Sequence, residues 1–332
     1  MQIRTFRPSE YDEAMAHEVT VVLDTASAVD SPHNSPVPER SCLLRFRHGW
    51  DGRGPDRVFH ANDDGRVVGH ASVELSHWED NQDLAWIEIT VLPELRRRGY
   101  GDALYEAAIA YAVEAGKTLL MGSTWHDSPA EEFPRRHGYE PGQHNVQRRL
   151  DLTTLDRDRI DKLHAEAEQH AAGYELVRIA GVAPDDLVDD LVEVTAAIND
   201  APLDDLDYED EVFSAERVRS FDAAQAAREI CVYRLLARRV DDGAWAGQSL
   251  VAVDVNRPTF GDQLDTSVVT SHRGHRLGLL LKTEMLRWLR QAEPQLTYTD
   301  TWNAASNVHM IAVNDLLGCR VVGTDTIWQR RL

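Results

Sequence analysis

The sequence predicts a mixed α/β protein made of one domain repeated in tandem, residues 1–150 and 174–332, with a helical connector at 151–173. Three observations carry this. The chain repeats itself at an offset near 177 residues. Each copy alternates extended stretches with amphipathic helical ones. In each, a glycine-containing turn stands between a strand and a long helix.

Taken in order, the first copy reads as an opening strand, acidic helices, and a hairpin or meander around Gly65-Arg-Val-Val-Gly69. The extended Ile87-Glu-Ile-Thr-Val91 follows, then the turn Arg96-Arg-Arg-Gly-Tyr-Gly101 and a helix expected to bury Leu104, Ile109 and Val113. A further strand ending in Ser123-Thr-Trp-His126, a shorter helix up to Gly138 and a strand closing at Gln147-Arg-Arg-Leu150 complete it. The second copy answers with Gly243-Ala-Trp-Ala-Gly247, Asp265-Thr-Ser-Val-Val269, Arg273-Gly-His-Arg-Leu-Gly278, Asp300-Thr-Trp-Asn303, Gly318 and Gln329-Arg-Arg-Leu332. Any one match is cheap, but they keep their order and the offset drifts only from 177 to 182, so the domain is duplicated. In the connector, Leu155, Ile160 and Leu163 fall at helical spacing, with a cap expected at Thr153 or Thr154 and Gly173 at the end. Its apolar residues predict that it packs on a domain.

Composition removes several function classes. Thirty-five Lys and Arg stand against 56 Asp and Glu, a net charge of −21, the wrong sign for tracking a nucleic-acid backbone or an anionic membrane. Cys42, Cys231 and Cys319 are widely spaced without CxxC, so neither a disulfide framework nor a thiolate zinc site is expected. The 14 histidines lack HExxH spacing, and there is no GxSxG elbow. No apolar run approaches the ~20 residues of a membrane span, and the N-terminus lacks a secretory stretch, so the expected location is cytoplasmic.

A strand, then R-x-x-G-x-G, then a helix is a nest: backbone N–H groups converge, the helix N-terminus adds positive potential, and glycines permit close approach. That geometry suits a pyrophosphate. GxGxxG and the P-loop GK[ST] are both absent.

On this turn and its repeated context the chain resembles the GNAT N-acetyltransferase superfamily, whose R/Q-x-x-G-x-G/A turn holds the pyrophosphate of acetyl-CoA. The tandem arrangement is similar to that of the mycothiol synthases and related duplicated actinobacterial proteins. The resemblance implies that each half is a twisted central mixed sheet with helices on both faces and that acetyl-CoA is the acyl donor. It implies cofactor contacts at Val91, Arg96, Arg97, Arg98, Gly99, Tyr100 and Gly101 in the first copy. In the second they fall at Val268, Val269, Arg273, Gly274, His275, Arg276, Leu277, Gly278, Asn303 and Asn307. Backbone N–H groups of the strand before the turn would hold the thioester carbonyl.

The copies depart from the family pattern in complementary ways. The first keeps both turn glycines but is three residues shorter between Trp125 and Gly138 than the second is between Trp302 and Gly318. The second keeps Asn307 at the family's distance from Gly318, yet Arg276 replaces a turn glycine. The family's usual acid, a Tyr four residues before the closing Gly, is Pro134 in one copy and Asn314 in the other.

An alkylamine must lose a proton before it attacks a thioester, so a base is required. Asp265 is the first candidate and Glu88 the second, each eight residues before the first turn arginine. Between Pro184 and Glu211 lie twelve acids and no Lys, Arg or His. Asp204, Asp205, Glu209 and Glu211 are expected on the acceptor rim, steering in a small cationic amine. The expected activity is direct acetyl transfer to a primary amine, by the second copy. The alternatives are a non-catalytic acetyl-CoA sensor and an acyltransferase using another carrier such as aminoacyl-tRNA.

Overall fold

A computed structural model describes all 332 residues. In chain order it contains β1 (Gln2–Phe6), α1 (Glu13–Asp30), α2 (Glu39–His48), β2 (Arg57–Asp63), β3 (Arg66–Leu75), β4 (Leu84–Val91), α3 (Tyr100–Glu114), β5 (Leu119–Trp125), α4 (Glu132–Arg136) and β6 (Glu140–Asp151). There follow α5 (Arg157–His170), β7 (Tyr174–Ala180), α6 (Val188–Ala196), α7 (Ala215–Ala227), β8 (Ile230–Arg239), β9 (Trp245–Asp254), β10 (Phe260–Val268), α8 (Leu277–Ala292), β11 (Tyr298–Ala304), α9 (Val308–Leu317) and β12 (Arg320–Arg331). The fold is mixed α/β.

The chain divides into two compact units that differ from the linear halves. One comprises Met1–Asn145, Leu203–Asp210 and Gly323–Leu332; the other comprises Val146–Pro202 and Glu211–Val322. The closing strand of each repeat is therefore counted with the other repeat, and the duplicated Gln-Arg-Arg-Leu endings show why. In the first unit β12 runs antiparallel to β5, Asp325 opposite Trp125 through Arg331 opposite Leu119. Trp328 is buried there and donates to the Thr124 hydroxyl at 2.9 Å. In the second unit β6 neighbours β11, and Gln147 and Arg149 both donate to the buried Asp300 carboxylate, at 2.9 and 2.7 Å. A charged hydrogen bond to a buried carboxylate fixes register, because slipping by one residue would strand the charge.

Strand order is β1-β2-β3-β4-β5-β12 in one unit and β7-β8-β9-β10-β11-β6 in the other. Neighbours among β1–β4 and among β7–β10 are antiparallel, whereas β4/β5 and β10/β11 are parallel. A parallel pair needs a crossover, which α3 and α8 supply. Helix α3 buries Leu104, Tyr105, Ala108 and Ala112 against the sheet, while Val113 is exposed. The expected Leu104/Ile109/Val113 face fails because steps of five and four residues carry Val113 to the far side of a 3.6-residue helix, whereas 104, 108 and 112 stay together. Tyr11, Val19, Phe46 and Val58 form the core under α1 and α2, and Leu191, Val218 and Leu236 the one under α6 and α7.

Helix α5 packs Ile160, His164 and Ala167 onto α8, with the His164 imidazole 3.2 Å from the Thr283 hydroxyl. Its cap is Asp156, which accepts from the Arg159 N–H at 3.0 Å. Thr153 and Thr154 sit instead in a turn whose backbone N–H groups donate to Asp151. A carboxylate outcompetes a hydroxyl for the exposed first-turn amides. No helix is long and apolar enough to cross a membrane.

Candidate active site

Both parallel pairs come apart after three residues. β4 pairs with β5 only over Leu84–Trp86, and β10 with β11 only over Phe260–Asp262. Beyond those points each unit has a cleft between two strands whose backbone groups face inward. Gly247 lets β9 approach β10 at the second cleft's edge: a Cβ there would lie 2.6 Å from the Ser267 carbonyl oxygen.

At the ends of β4 and β10 the ladder hydrogen bond goes from Leu92 N–H to Val68 and from Val269 N–H to Ala246, at 3.0 and 2.9 Å. Antiparallel strands alternate the side to which their amides point. Val91 and Val268, paired across from Gly69 and Gly247, therefore turn their N–H groups toward the clefts. Of the two valines expected to face a thioester in the second copy, Val268 has its amide free of this ladder. Val269 spends its amide on Ala246 because the alternation puts it on the opposite edge.

The turn has one conformation written with two sequences. Left-handed backbone occurs at its second and fourth positions, Arg97 (φ 61°) and Gly99 (φ 88°) in the first unit, Gly274 (φ 87°) and Arg276 (φ 55°) in the second. Arg276 thus accepts the strain a glycine avoids, and the first copy accepts it at Arg97. The turn residues Arg97, Arg98, Gly99, Gly274, His275 and Arg276 are exposed, while Tyr100 and Leu277 are buried under the turn; Tyr100 donates to Asp63 at 2.7 Å. Open space around Gly99 leaves room for a ligand against its backbone. Gly101 is closed in by the Phe133 ring 3.2 Å from a notional Cβ; Gly278 has nothing within 4 Å.

The first turn arginine is a brace in both units. Arg96 donates to the Val91 carbonyl at 3.1 Å and grips Asp30, the last residue of α1, with two hydrogen bonds of 2.7 and 2.5 Å. Arg273 donates to the Val268 carbonyl at 3.1 Å and to Asp200 at 2.5 Å, and Thr270 also donates to Asp200, at 2.9 Å. Each thereby ties the strand end to the helical segment across it. Asp30 was not expected; the repeat comparison lacked it because the acidic helices drift in sequence.

The two candidate bases differ sharply. β10 carries a one-residue bulge at Leu264–Asp265, since Gln263 opposes Val251 but Thr266 opposes Ser249. The Gln263 side chain donates to the Leu250 carbonyl at 2.7 Å, filling the irregularity. β4 has no such bulge. Asp265 is pushed up to about 6, chiefly by burial and then by the nearby Glu211 charge, with the Arg234 guanidinium pulling the other way. Glu88 sits half-exposed, 3.4 Å from Arg45, in an ion pair. A bulge re-aims a side chain, and a carboxyl near 6 is a base poised for neutral pH.

Asn303 lies in β11 and accepts from the buried Asn314 at 2.8 Å, so the family's tyrosine position holds an amide pair. Asn307 is the cap of α9, accepting from the Met310 N–H at 3.2 Å. The four rim acids are scattered in role. Leu203–Asp210 belongs to the first unit, where Leu206 and Tyr208 pack by Leu84, Leu119 and Met121. There the Asp205 N–H donates to Gly142, its carbonyl accepts from Gln329, and Glu209 receives the Asn81 N–H at 2.8 Å. Asp204 has left-handed backbone at the start of that segment. Only Glu211 stands in the second unit with Asp265, held by Arg217 at 2.5 Å and by a two-way bond with Asn199.

Comparison with known proteins agrees with this geometry. A family model for the acetyltransferase (GNAT) family matches residues 25–139. A mycothiol acetyltransferase of Stackebrandtia nassauensis is 27% identical over 97% of this chain and 98% of its own. Both likenesses are to acetyltransferases, the first of them to the GNAT family. Among solved structures, a tandem GNAT protein from the clavulanic acid biosynthesis pathway covers 99% of this chain and 98% of its own, with a TM-score of 0.78 and 23% identity. A GCN5-related N-acetyltransferase from Sphaerobacter thermophilus covers 99% and 95%, with a TM-score of 0.68 at 15% identity. These two likenesses concern the fold. In both units the turn stands open and the Val91 and Val268 amides lie outside the ladder that holds the strand end.

Proposed function

We propose that this protein is a tandem GNAT acetyltransferase, that it transfers acetyl from acetyl-CoA to a primary amine of a small molecule, and that the second unit does so. The observation that carries this is the bulge that sets Asp265 beside the β10/β11 cleft with a carboxyl near 6. Its counterpart Glu88 lies on a regular strand and is neutralised by Arg45.

Bound acetyl-CoA would supply an activated acyl carbon. The turn amides around Gly274 and Arg276 would take its pyrophosphate, as those around Arg97 and Gly99 would in the first unit. The Val268 N–H would donate to the thioester oxygen where negative charge develops. Asp265, ionised above about pH 6, takes the proton from the incoming ammonium. No acid is needed at Asn314, because a thiol of pKa about 8.5 is an adequate leaving group as its anion. Holding amine and thioester in contact supplies much of the remaining rate.

The test is thiol release from acetyl-CoA against a panel of amines. Asp265→Asn should lose most of the amine-stimulated rate and Glu88→Gln little of it. Loss of activity in Glu88→Gln with Asp265→Asn active would move the reaction to the first unit. No amine-stimulated release from any variant would leave acetyl-CoA binding alone.

A further inference from the structure

Between helices α5 and α8 the second unit has a hollow of about 320 Å³ that acetyl transfer leaves unused. Its floor is Ile160 of α5, Leu289 of α8 and Leu296 just before β11, all buried. Its walls are Leu152, Leu155 and Leu286, each half-buried. The Leu152 N–H donates to the Thr297 carbonyl at 2.8 Å, which fixes the chain before α5 against the start of β11. The charged residues around the hollow are engaged unequally. Asp161 lies 3.6 Å from Arg287, which also donates to Glu284 at 3.3 Å. Glu293 accepts from the Tyr233 hydroxyl through one oxygen and from Gln295 through the other, both at 2.6 Å. Arg157 and Arg290 are exposed and enter no ion pair.

Leucine walls around an open hollow leave apolar surface in water. An aliphatic chain laid against them removes it, at about fourfold in affinity for each methylene buried. The volume lies at the small end of the range for small-molecule sites, about 300–1,000 Å³. The two unengaged guanidiniums supply the polar handle, since each is a planar fork that takes an oxyanion. One comes from the first turn of α5 and the other from the last turn of α8. In a chain of net charge −21, this place has its acids engaged and its arginines not, so it favours an anion. Leu286 follows Leu277, the first residue of α8, by nine residues, about 14 Å along the helix. The hollow is therefore separate from the turn that opens α8.

We propose that this hollow binds a single-chain aliphatic carboxylate, its chain on the Ile160, Leu289 and Leu296 floor and its headgroup at Arg157 and Arg290. The apolar floor alone would take any chain; the two arginines add the requirement for an anionic end. No step of acetyl transfer is involved, so the site stands or falls apart from the assignment of Asp265.

The experiment is calorimetric titration of the full chain with octanoate, butanoate and octanol, without and with saturating acetyl-CoA. Octanoate should bind at one site, about tenfold more tightly than octanol, the worth of a charged hydrogen bond. It should exceed butanoate by about a hundredfold, because four more methylenes are buried. Replacing both arginines, Arg157→Gln with Arg290→Gln, should bring octanoate to within about threefold of octanol and leave octanol unchanged. Leu286→Trp, at a half-buried wall position, should fill the hollow and weaken octanoate and octanol alike by about tenfold or more. Acetyl-CoA should leave all these affinities as they are. Octanoate binding no tighter than octanol in the wild type overturns the proposal, whether or not the variants fold. So does octanoate binding that acetyl-CoA abolishes and Leu286→Trp spares, which would place the chain in a cofactor cleft.

Discussion

Acidification should unfold the first unit through a buried histidine. His60 is 2% exposed, its Nε2 lies 2.5 Å from the Tyr11 hydroxyl, and the Phe6 and Tyr11 rings pack against it. Burial, helped by the Arg4 charge, lowers its pKa from 6.5 to about 4. The unfolded chain therefore binds the proton first. The stabilisation is whole above about pH 6.5 and is lost as pH falls toward 4. Between pH 7.5 and 4.5 the two values give a loss of about 2.5 kcal/mol from His60 alone, at 1.36 kcal/mol per unit. The neighbouring His70, its pKa also lowered by burial and by the charge on His60, adds to this, and the pair titrates together. The assay is urea unfolding of wild type and His60→Gln at both pH values. The difference in unfolding free energy between them should shift by about 2.5 kcal/mol in favour of the variant at pH 4.5. A difference that stays constant with pH would refute the assignment of the burden to His60.

Four other outcomes follow from the geometry. Arg276→Gly should be neutral to stabilising by about 0.5 kcal/mol, because it relieves a left-handed residue, while Gly99→Ala at the equivalent position should cost about 1 kcal/mol; both are read from thermal unfolding. Gly247→Ala should destabilise by about 1–3 kcal/mol, since its Cβ meets the Ser267 backbone oxygen, and should lower acetyl transfer by shifting β10. Glu209→Ala should lower the melting temperature by removing the acceptor of the Asn81 N–H, and should leave the salt dependence of KM for a cationic amine unchanged. Glu211→Gln should move the acid limb of the rate profile to lower pH, because the Glu211 charge is one cause of the raised Asp265 pKa.

The duplicated glycines and arginines were legible because they encode backbone geometry. Gly69 and Gly247 mark close strand approach, and the two Arg-led turns share one dihedral pattern despite different residues. The mixed α/β class followed from alternation alone. The exchange of closing strands was not legible. Gln147-Arg-Arg-Leu150 and Gln329-Arg-Arg-Leu332 announce equivalent strands, but a sequence repeat does not say which copy's sheet each joins. The acidic run was legible as charge and opaque as role. Backbone amides of Asn81 and hydrogen bonds from Gln329 decide that Asp205 and Glu209 belong to a docked segment, and those partners lie more than 100 residues away. Asp265 could be named from its spacing before the turn. The bulge that distinguishes it from Glu88 depends on a register slip of a single residue, which composition does not announce.

The central claim is that Asp265 in the second unit is the base. Its most direct test is the pH dependence of kcat/KM for a primary amine in wild type, Asp265→Asn and Glu88→Gln. Wild type and Glu88→Gln should share an acid limb with an apparent pKa of about 6, set by Asp265, and that limb should be absent from the residual activity of Asp265→Asn. An unchanged limb in Asp265→Asn, or its loss in Glu88→Gln, would contradict the assignment.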